Sequence, residues 1–496
     1  MKKRIIALIL AFVIALGCCS PAFAKESKDE TVNPLSQAGT SDLPFILIRG
    51  MNFSGLYYKM GTDKEQNCLG EIKAADIIKV VLKASTTAIF KRDWNVFADI
   101  ACDYAKDLMG LMACDEKGNS KYDVSVQDYP LAISNYPELQ NGETDEFGIL
   151  HAACDIYGAD KVYYYNYDWR LDPLTHADKI NKLVNQALKD SGKDKVNLVC
   201  ASMGGIETIS YMYKYGTEKL NRVIFLSSTF TGTHVTTDVL QGKIDFNSYY
   251  VYMYLRKLVA QNNKGLGVLM DALYKIKLFD GVCKFLNKTL APNIIDEVYD
   301  YFLTDTFGTM PSVWALVLPE EYDACIKYMF EGKEEKYADF IALTKEYQKM
   351  TAQRDEMLYK AVEDGTSICV VAGYNSATVP VYVGGGSNGD SILEADRMLG
   401  KAKVAPLGTT LSNDKDAHFK NPKISFDNTV DLTNVLFPEN TWAIRNGRHV
   451  GCNYGTDMST FLFTLVNYKG TPTVTNVKGY NQFMDSSTGY DLMLVK

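Results

Sequence analysis

Short apolar runs alternate with stretches of helical periodicity along most of this chain. PFILIRG at 44–50 reads as a buried strand ending at Gly50. KVYYYNYDW at 161–169, VNLVC at 196–200 and RVIFLSS at 222–228 read the same way. SICVVAGY at 367–374, VPVYVGGG at 379–386 and TWAIRNG at 441–447 extend the series. Between them the apolar period lengthens. EIKAADIIKVVLKA and FADIACDYAKDLMGLM make a helical insertion over about 67–113. ADKINKLVNQALKDSG at 177–192 is an amphipathic helix closed by Gly192, and DMSTFLFTLVNY at 457–468 is a late helix. Strands separated by helices predict βαβ units: an α/β fold, mainly parallel, with helices on both faces of the sheet.

One stretch breaks the alternation. Residues 235–366 hold SYYVYMYLRKLVAQ, NIIDEVYDYFL and a long helical run from Lys336 to Gly365, with almost no strand pattern. This predicts a helical cap inserted between a first core segment, 44–234, and a second, 367–496. The 400–440 stretch reads as coil. The tyrosines at 249, 250, 252 and 254 predict a cap helix that either packs on the core or makes transient contact with a membrane or micelle.

The N-terminus is of another kind. Lys2, Lys3 and Arg4 precede an apolar run from Ile5 to Leu16, and Ala22-Phe23-Ala24 fits a cleavage site. Residues 1–24 therefore read as a secretory signal peptide and 25–43 as a polar leader, which predicts a secreted protein. Ala15-Leu16-Gly17-Cys18 keeps a lipoprotein anchored through Cys18 as the alternative. The chain of 496 residues carries a net charge of −8; removing 1–24 takes away three basic residues and no acidic one, leaving −11. An acidic surface argues against nucleic acid as a partner. Nine cysteines remain, scattered without metal-ligand spacing, and Cys200 and Cys369 sit in strand-like runs as small core residues. No phosphate-binding loop or nucleotide fingerprint appears, so no cofactor and no metal is expected.

The chemistry concentrates at Cys200-Ala201-Ser202-Met203-Gly204-Gly205, between a strand and a helix. A serine on such a turn projects its hydroxyl out of the sheet, and small residues two before and two after avoid the bending backbone. The hydroxyl needs a base, a carboxylate to orient it and donors for the oxyanion. With partners in the chain order serine, acid, histidine, only His418 and His449 of the five histidines follow a plausible acid. His449 lies in a loop between the last strand and the last helix; His418 lies in a charged stretch and is the alternative. Asp390 follows a strand in a glycine-rich turn, with Asp396 as rival and Glu394 placed on a helix surface. The amide of Met203 is one oxyanion donor. The loop after the first strand supplies the second, through Met51 rather than Asn52, with the loop at Phe147-Gly148 kept open.

Several of these pieces coincide in order. ILIRGMNFSGLYY, YDWR at 167–170, CASMGG, LSSTFTGT at 226–233, FGTMPSVWALVLP at 307–319, SNGDSILEADR and RHVGC together resemble the lecithin:cholesterol acyltransferase-like group of α/β-hydrolases, over about 44–465. The resemblance implies Ser202 as nucleophile, Asp390 as acid and His449 as base, and puts 307–319 in the cap over an acyl groove. Arg49, Cys200 and Asn388 depart from the family's pattern. Trp169 and Arg170 are candidate substrate contacts, against a bracing role at the sheet edge. The expected activity is a lipase or esterase working on acyl esters. If a lipid alcohol clears the acyl-enzyme, it is an acyltransferase. A non-catalytic binding protein on the same scaffold, and amide or thioester cleavage, remain the alternatives.

Overall fold

The computed structural model describes residues 39–70, 74–140, 148–262, 264–381 and 388–494. The expected signal peptide with Cys18, and most of the 25–43 leader, lie outside the described residues. The central sheet has eight strands: β1 (Phe45–Ile48), β2 (Val162–Tyr165), β3 (Val196–Ala201), β4 (Leu220–Leu226), β5 (Ser367–Tyr374), β6 (Thr441–Arg445), β7 (Phe483–Asp485) and β8 (Met493–Leu494). They lie in the order β8-β7-β6-β5-β4-β3-β1-β2. Every neighbouring pair is parallel except β7 with β8.

The strand residues sort by parity. Ile46, Leu198, Phe225 and Val370 face one side of the sheet, packed under helices at Pro173–Ser191, Gly204–Tyr215 and Arg354–Glu363. Leu47, Val199, Ile224 and Val371 face the other, against helices at Ile149–Tyr157 and Asp457–Asn467. A strand covered on both faces has few positions for a polar residue, and so reads as a nearly continuous apolar run. Burying each such side chain stabilises the fold by roughly 1.5–3 kcal/mol. The one charged residue in β4, Arg222, is buried at 3% exposure. Its guanidinium donates to the carbonyls of Leu465 (2.6 Å), Val466 (2.6 Å) and Tyr468 (3.0 Å), at the C-terminus of the Asp457–Asn467 helix, where a cation is favoured.

Between β4 and β5 the described residues form helices joined by turns and no strand, including Ser248–Asn262, Lys264–Lys275, Leu278–Phe285, Tyr322–Phe330 and Ala338–Thr351. The earlier helices Ala74–Lys91 and Asn95–Met109 join it: Ala84, Ala88 and Phe97 pack with Val251, Phe279 and Val282. Tyr252 stacks on Tyr274 with centroids 4.2 Å apart. Among the described residues, no helix is long and apolar enough to cross a membrane.

Two expectations need correction. The strand expected at 379–386 is absent over 379–381, and 382–387 lie outside the described residues. A two-residue strand, Ser376–Ala377, pairs instead with Asn388–Gly389. Pro380 has no N–H to give a ladder. The 400–440 stretch, expected as coil, contains the antiparallel pair Lys403–Val404 with Val430–Asp431.

Candidate active site

The C-terminal edge of the sheet stands out by its backbone. Ser202, Ser227, Asn375 and Asn446, each the first residue after β3, β4, β5 and β6, have φ of 52°, 45°, 70° and 61°. Ser391 (92°) and Val450 (50°) add two more, each directly after a candidate site residue. Positive φ is strained for residues with a Cβ, most of all for a β-branched valine. Such strain persists only where surrounding contacts over-determine it, and it clusters at functional sites.

At Ser202 those contacts are visible. Its amide donates to Leu226 O (3.1 Å), and its carbonyl accepts from Thr229 N (3.2 Å), Gly205 N (3.2 Å) and Ser228 Oγ (3.0 Å). Glycines permit the close packing around it. A Cβ on Gly50 would lie 2.7 Å from the Ser202 Cβ, and one on Gly204 would lie 2.5 Å from Ile48 O. A Cβ on Gly205 would fall 1.8 Å from Ser228 Oγ. The small residues of the turn thus let the following helix, Gly204–Tyr215, and the loop after β1 both approach the serine.

Asp390 and His449 come together. His449 Nδ1 and Asp390 Oδ2 are 2.7 Å apart. Asp390 is fully buried, and its other oxygen accepts from the amides of Ile392 (3.1 Å) and Leu393 (3.0 Å). Those bonds hold the carboxylate in one orientation. The His449 side chain retains 16% exposure. Its loop is tied to the serine's neighbourhood: Val450 N donates to Ser227 Oγ (3.1 Å), and Ser227 follows the residue that accepts from the Ser202 amide. Among the described residues, Ser202 Oγ makes no hydrogen bond, so the structure forms the histidine–carboxylate half of the constellation and leaves the serine–histidine link unmade.

The rivals are engaged elsewhere. His418 Nδ1 bonds Ile424 O at 2.5 Å, with its ring 3.7 Å from that of Phe426. Asp396 pairs with Arg397 (3.3 Å) and lies 3.8 Å from His234. Glu394, expected on a helix surface, is instead fully buried, accepting from Thr233 Oγ1 (2.8 Å) and Val235 N (3.0 Å). The sequence reading missed this because Thr233 lies far away along the chain. The carboxylate fastens the acid-bearing loop to the first turn of the His234–Val239 helix.

Among the described residues, neither the Met203 nor the Met51 amide is bonded to a backbone carbonyl. Met203 is the residue before the Gly204–Tyr215 helix, where backbone N–H groups gather. Of the other loop considered, Phe147 lies outside the described residues, and Gly148 packs on the backbone of Asn453 and Tyr454. Trp169 and Arg170, taken as candidate substrate contacts, are buried at 1% and 0% exposure. Arg170 Nε donates to Asp168 Oδ1 (2.8 Å) and NH1 to Met112 O (2.8 Å), while Trp169 Nε1 donates to Asn52 O (3.0 Å). These bonds engage both side chains in bracing, the role weighed beside substrate contact.

One residue escaped the sequence reading altogether. Lys257, on the helix Ser248–Asn262, donates through Nζ to Ser376 Oγ, and Ser376 forms a backbone bridge with Asp390. Burial drives its pKa down to about 8, opposed by the charge of Asp390. Nothing in the spacing of a lysine within an amphipathic helix marks such a placement. All nine described cysteines are free thiols. Among the described residues, no three metal-ligating side chains converge.

No family model matches the chain, and no curated protein matches it. A solved structure titled "The crystal structure of Tle4-Tli4 complex" is similar over 86% of this chain and 98% of its own, at 12% identity and a TM-score of 0.35. A likeness at that score supports no argument about fold or activity.

Proposed function

We propose that this chain is an exported serine hydrolase of the α/β-hydrolase type that cleaves acyl esters, with the helical insertion 235–366 as its cap. The observation that carries the reading is the 2.7 Å pair of His449 and Asp390, on loops at the sheet edge where Ser202 sits with φ of 52°. Ser202 Oγ attacks the ester carbonyl while His449 Nε2 takes its proton, and Asp390 holds the imidazole through Nδ1. The unpaired amides of Met203 and Met51 stabilise the tetrahedral anion. His449 returns the proton to the leaving alcohol, and water clears the acyl-enzyme by the same path.

A second reading keeps the scaffold and drops the chemistry: a secreted binding protein. The unbonded Ser202 hydroxyl favours it, although catalytic hydrogen bonds are often long before substrate arrives. A fluorophosphonate probe separates the two. The parent is expected to label and Ser202→Ala not to; equal labelling of both, or of neither, removes the hydrolase reading.

A further inference from the structure

An oxyanion donor works only if its N–H is held in place before the charge develops. Met203 has that support from the helix it precedes. Met51 does not have it from secondary structure, because β1 ends at Ile48 and the next turn begins at Phe53. The loop between them is fastened from outside, by two side chains of the 167–169 segment. Tyr167 donates its hydroxyl to Arg49 O (3.0 Å), and Trp169 donates its indole N–H to Asn52 O (3.0 Å). The two bonds close on either side of Gly50 and Met51. Both donors are buried, at 4% and 1% exposure, and the Trp169 ring meets that of Phe53 edge-on with centroids 4.9 Å apart.

The clamp is itself anchored. Tyr167 stacks on Tyr165 with centroids 5.3 Å apart and meets the His176 ring at the same distance. Between the clamping residues, Asp168 pairs with Arg170, whose guanidinium also reaches Ser120 Oγ (3.0 Å). The segment thus has no freedom to follow a shifting loop. Burial and the nearby Glu207 carboxylate keep the Tyr167 phenol protonated, so it remains a donor.

We infer that Tyr167 and Trp169 are positioning residues that hold the loop 49–52, and so place the Met51 amide against the developing oxyanion. This rests on the serine-hydrolase reading. It also gives the two outer residues of the clamp a task distinct from bracing the sheet.

The test uses Trp169→Phe, which keeps an aromatic ring against Phe53 and removes the N–H. Tyr167→Phe does the same at the other end of the loop and serves if the first variant fails to fold. Each is assayed on a p-nitrophenyl ester and on the matching thionoester, whose sulfur anion accepts hydrogen bonds poorly. The expected result is a kcat about 10–100-fold lower on the oxygen ester, with KM within about 2-fold and the burst amplitude unchanged. The thionoester should lose much less. An equal loss on both esters, or a loss carried by a smaller burst, would leave only a structural role and overturn the inference. A parent with no Ser202-dependent burst removes the hydrolase reading itself, and the inference falls with it.

Discussion

Among the described residues, two histidines bond a fully buried carboxylate through Nδ1, and one of the two lies on a loop at the sheet edge where Ser202 sits. His449 lies 2.7 Å from Asp390, and His176 lies 3.0 Å from Glu207. In both, the carboxylate side chain is fully buried and the bond runs to Nδ1. The difference lies in what surrounds the ring. The His449 side chain keeps 16% exposure on a loop beyond β6, whereas that of His176 keeps 5% on the Pro173–Ser191 helix, packed against Tyr167. Asp390 is further held by two backbone amides, while Glu207 leaves one oxygen buried with no partner among the described residues. An imidazole oriented by a carboxylate is therefore not by itself a catalytic base. It must also lie at an edge where a nucleophile and a substrate can reach it.

Exchanging the two histidines in turn gives the largest expected effects. His449→Gln should lower kcat on a p-nitrophenyl ester by roughly 10⁴-fold or more, with little change in thermal stability. His176→Ala should do the reverse. It strands Glu207 in the core and costs about 3–5 kcal/mol of stability, while kcat per folded molecule should fall by no more than about 10-fold, through the Tyr167 ring that packs on His176. Activity per active site and denaturant midpoints measured on both variants would show which pair does which. If His176→Ala abolishes kcat while the protein remains folded, the assignment of roles is wrong.

A smaller effect tests the neighbourhood of the rim pair. Lys257 is a half-buried cation bonded to a hydroxyl, with its pKa lowered to about 8, first by desolvation and against the pull of Asp390. A lysine with a depressed folded pKa binds its proton less readily than the unfolded chain does. Folding is thus penalised below about pH 8 and the penalty fades as the pH approaches the unfolded pKa. Lys257→Met should raise stability at pH 7 by about 1–3 kcal/mol. The gain should shrink toward zero near pH 10, as read from urea midpoints. A gain that stays constant with pH would assign it to packing alone.

Much of this arrangement could be read from the chain because it rests on local rules. The apolar runs that became β1, β3, β4 and β5 are covered on both faces, so burial itself writes the pattern. The turn at Ser202 carries its glycines within three residues. The order of acid and histidine then left few choices. The clamp on the loop 49–52, the burial of Glu394 and the placement of Lys257 were not legible. Each depends on a partner more than a hundred residues away, and nothing in local spacing records it. The pairing of His176 with Glu207, 31 residues apart, was hidden for a different reason, as each sits within an ordinary helix whose spacing does not mark it.

That second pair yields the finest test of the comparison. Burial alone would hold His176 neutral, but the Glu207 carboxylate outweighs it and raises the imidazole pKa above its usual 6.5. Burial raises the Glu207 pKa as well. Both shifts make the folded state bind protons that the unfolded state has released. The stability from His176 is complete below about pH 6.5 and is lost as pH rises through the raised pKa; the Glu207 contribution weakens in the same direction. Urea midpoints of the parent are therefore expected to fall between about pH 5 and 8, relative to a double variant, His176→Gln with Glu207→Gln, that removes both titrations. Parallel curves for the two proteins would mean that this core pair exchanges no proton on unfolding.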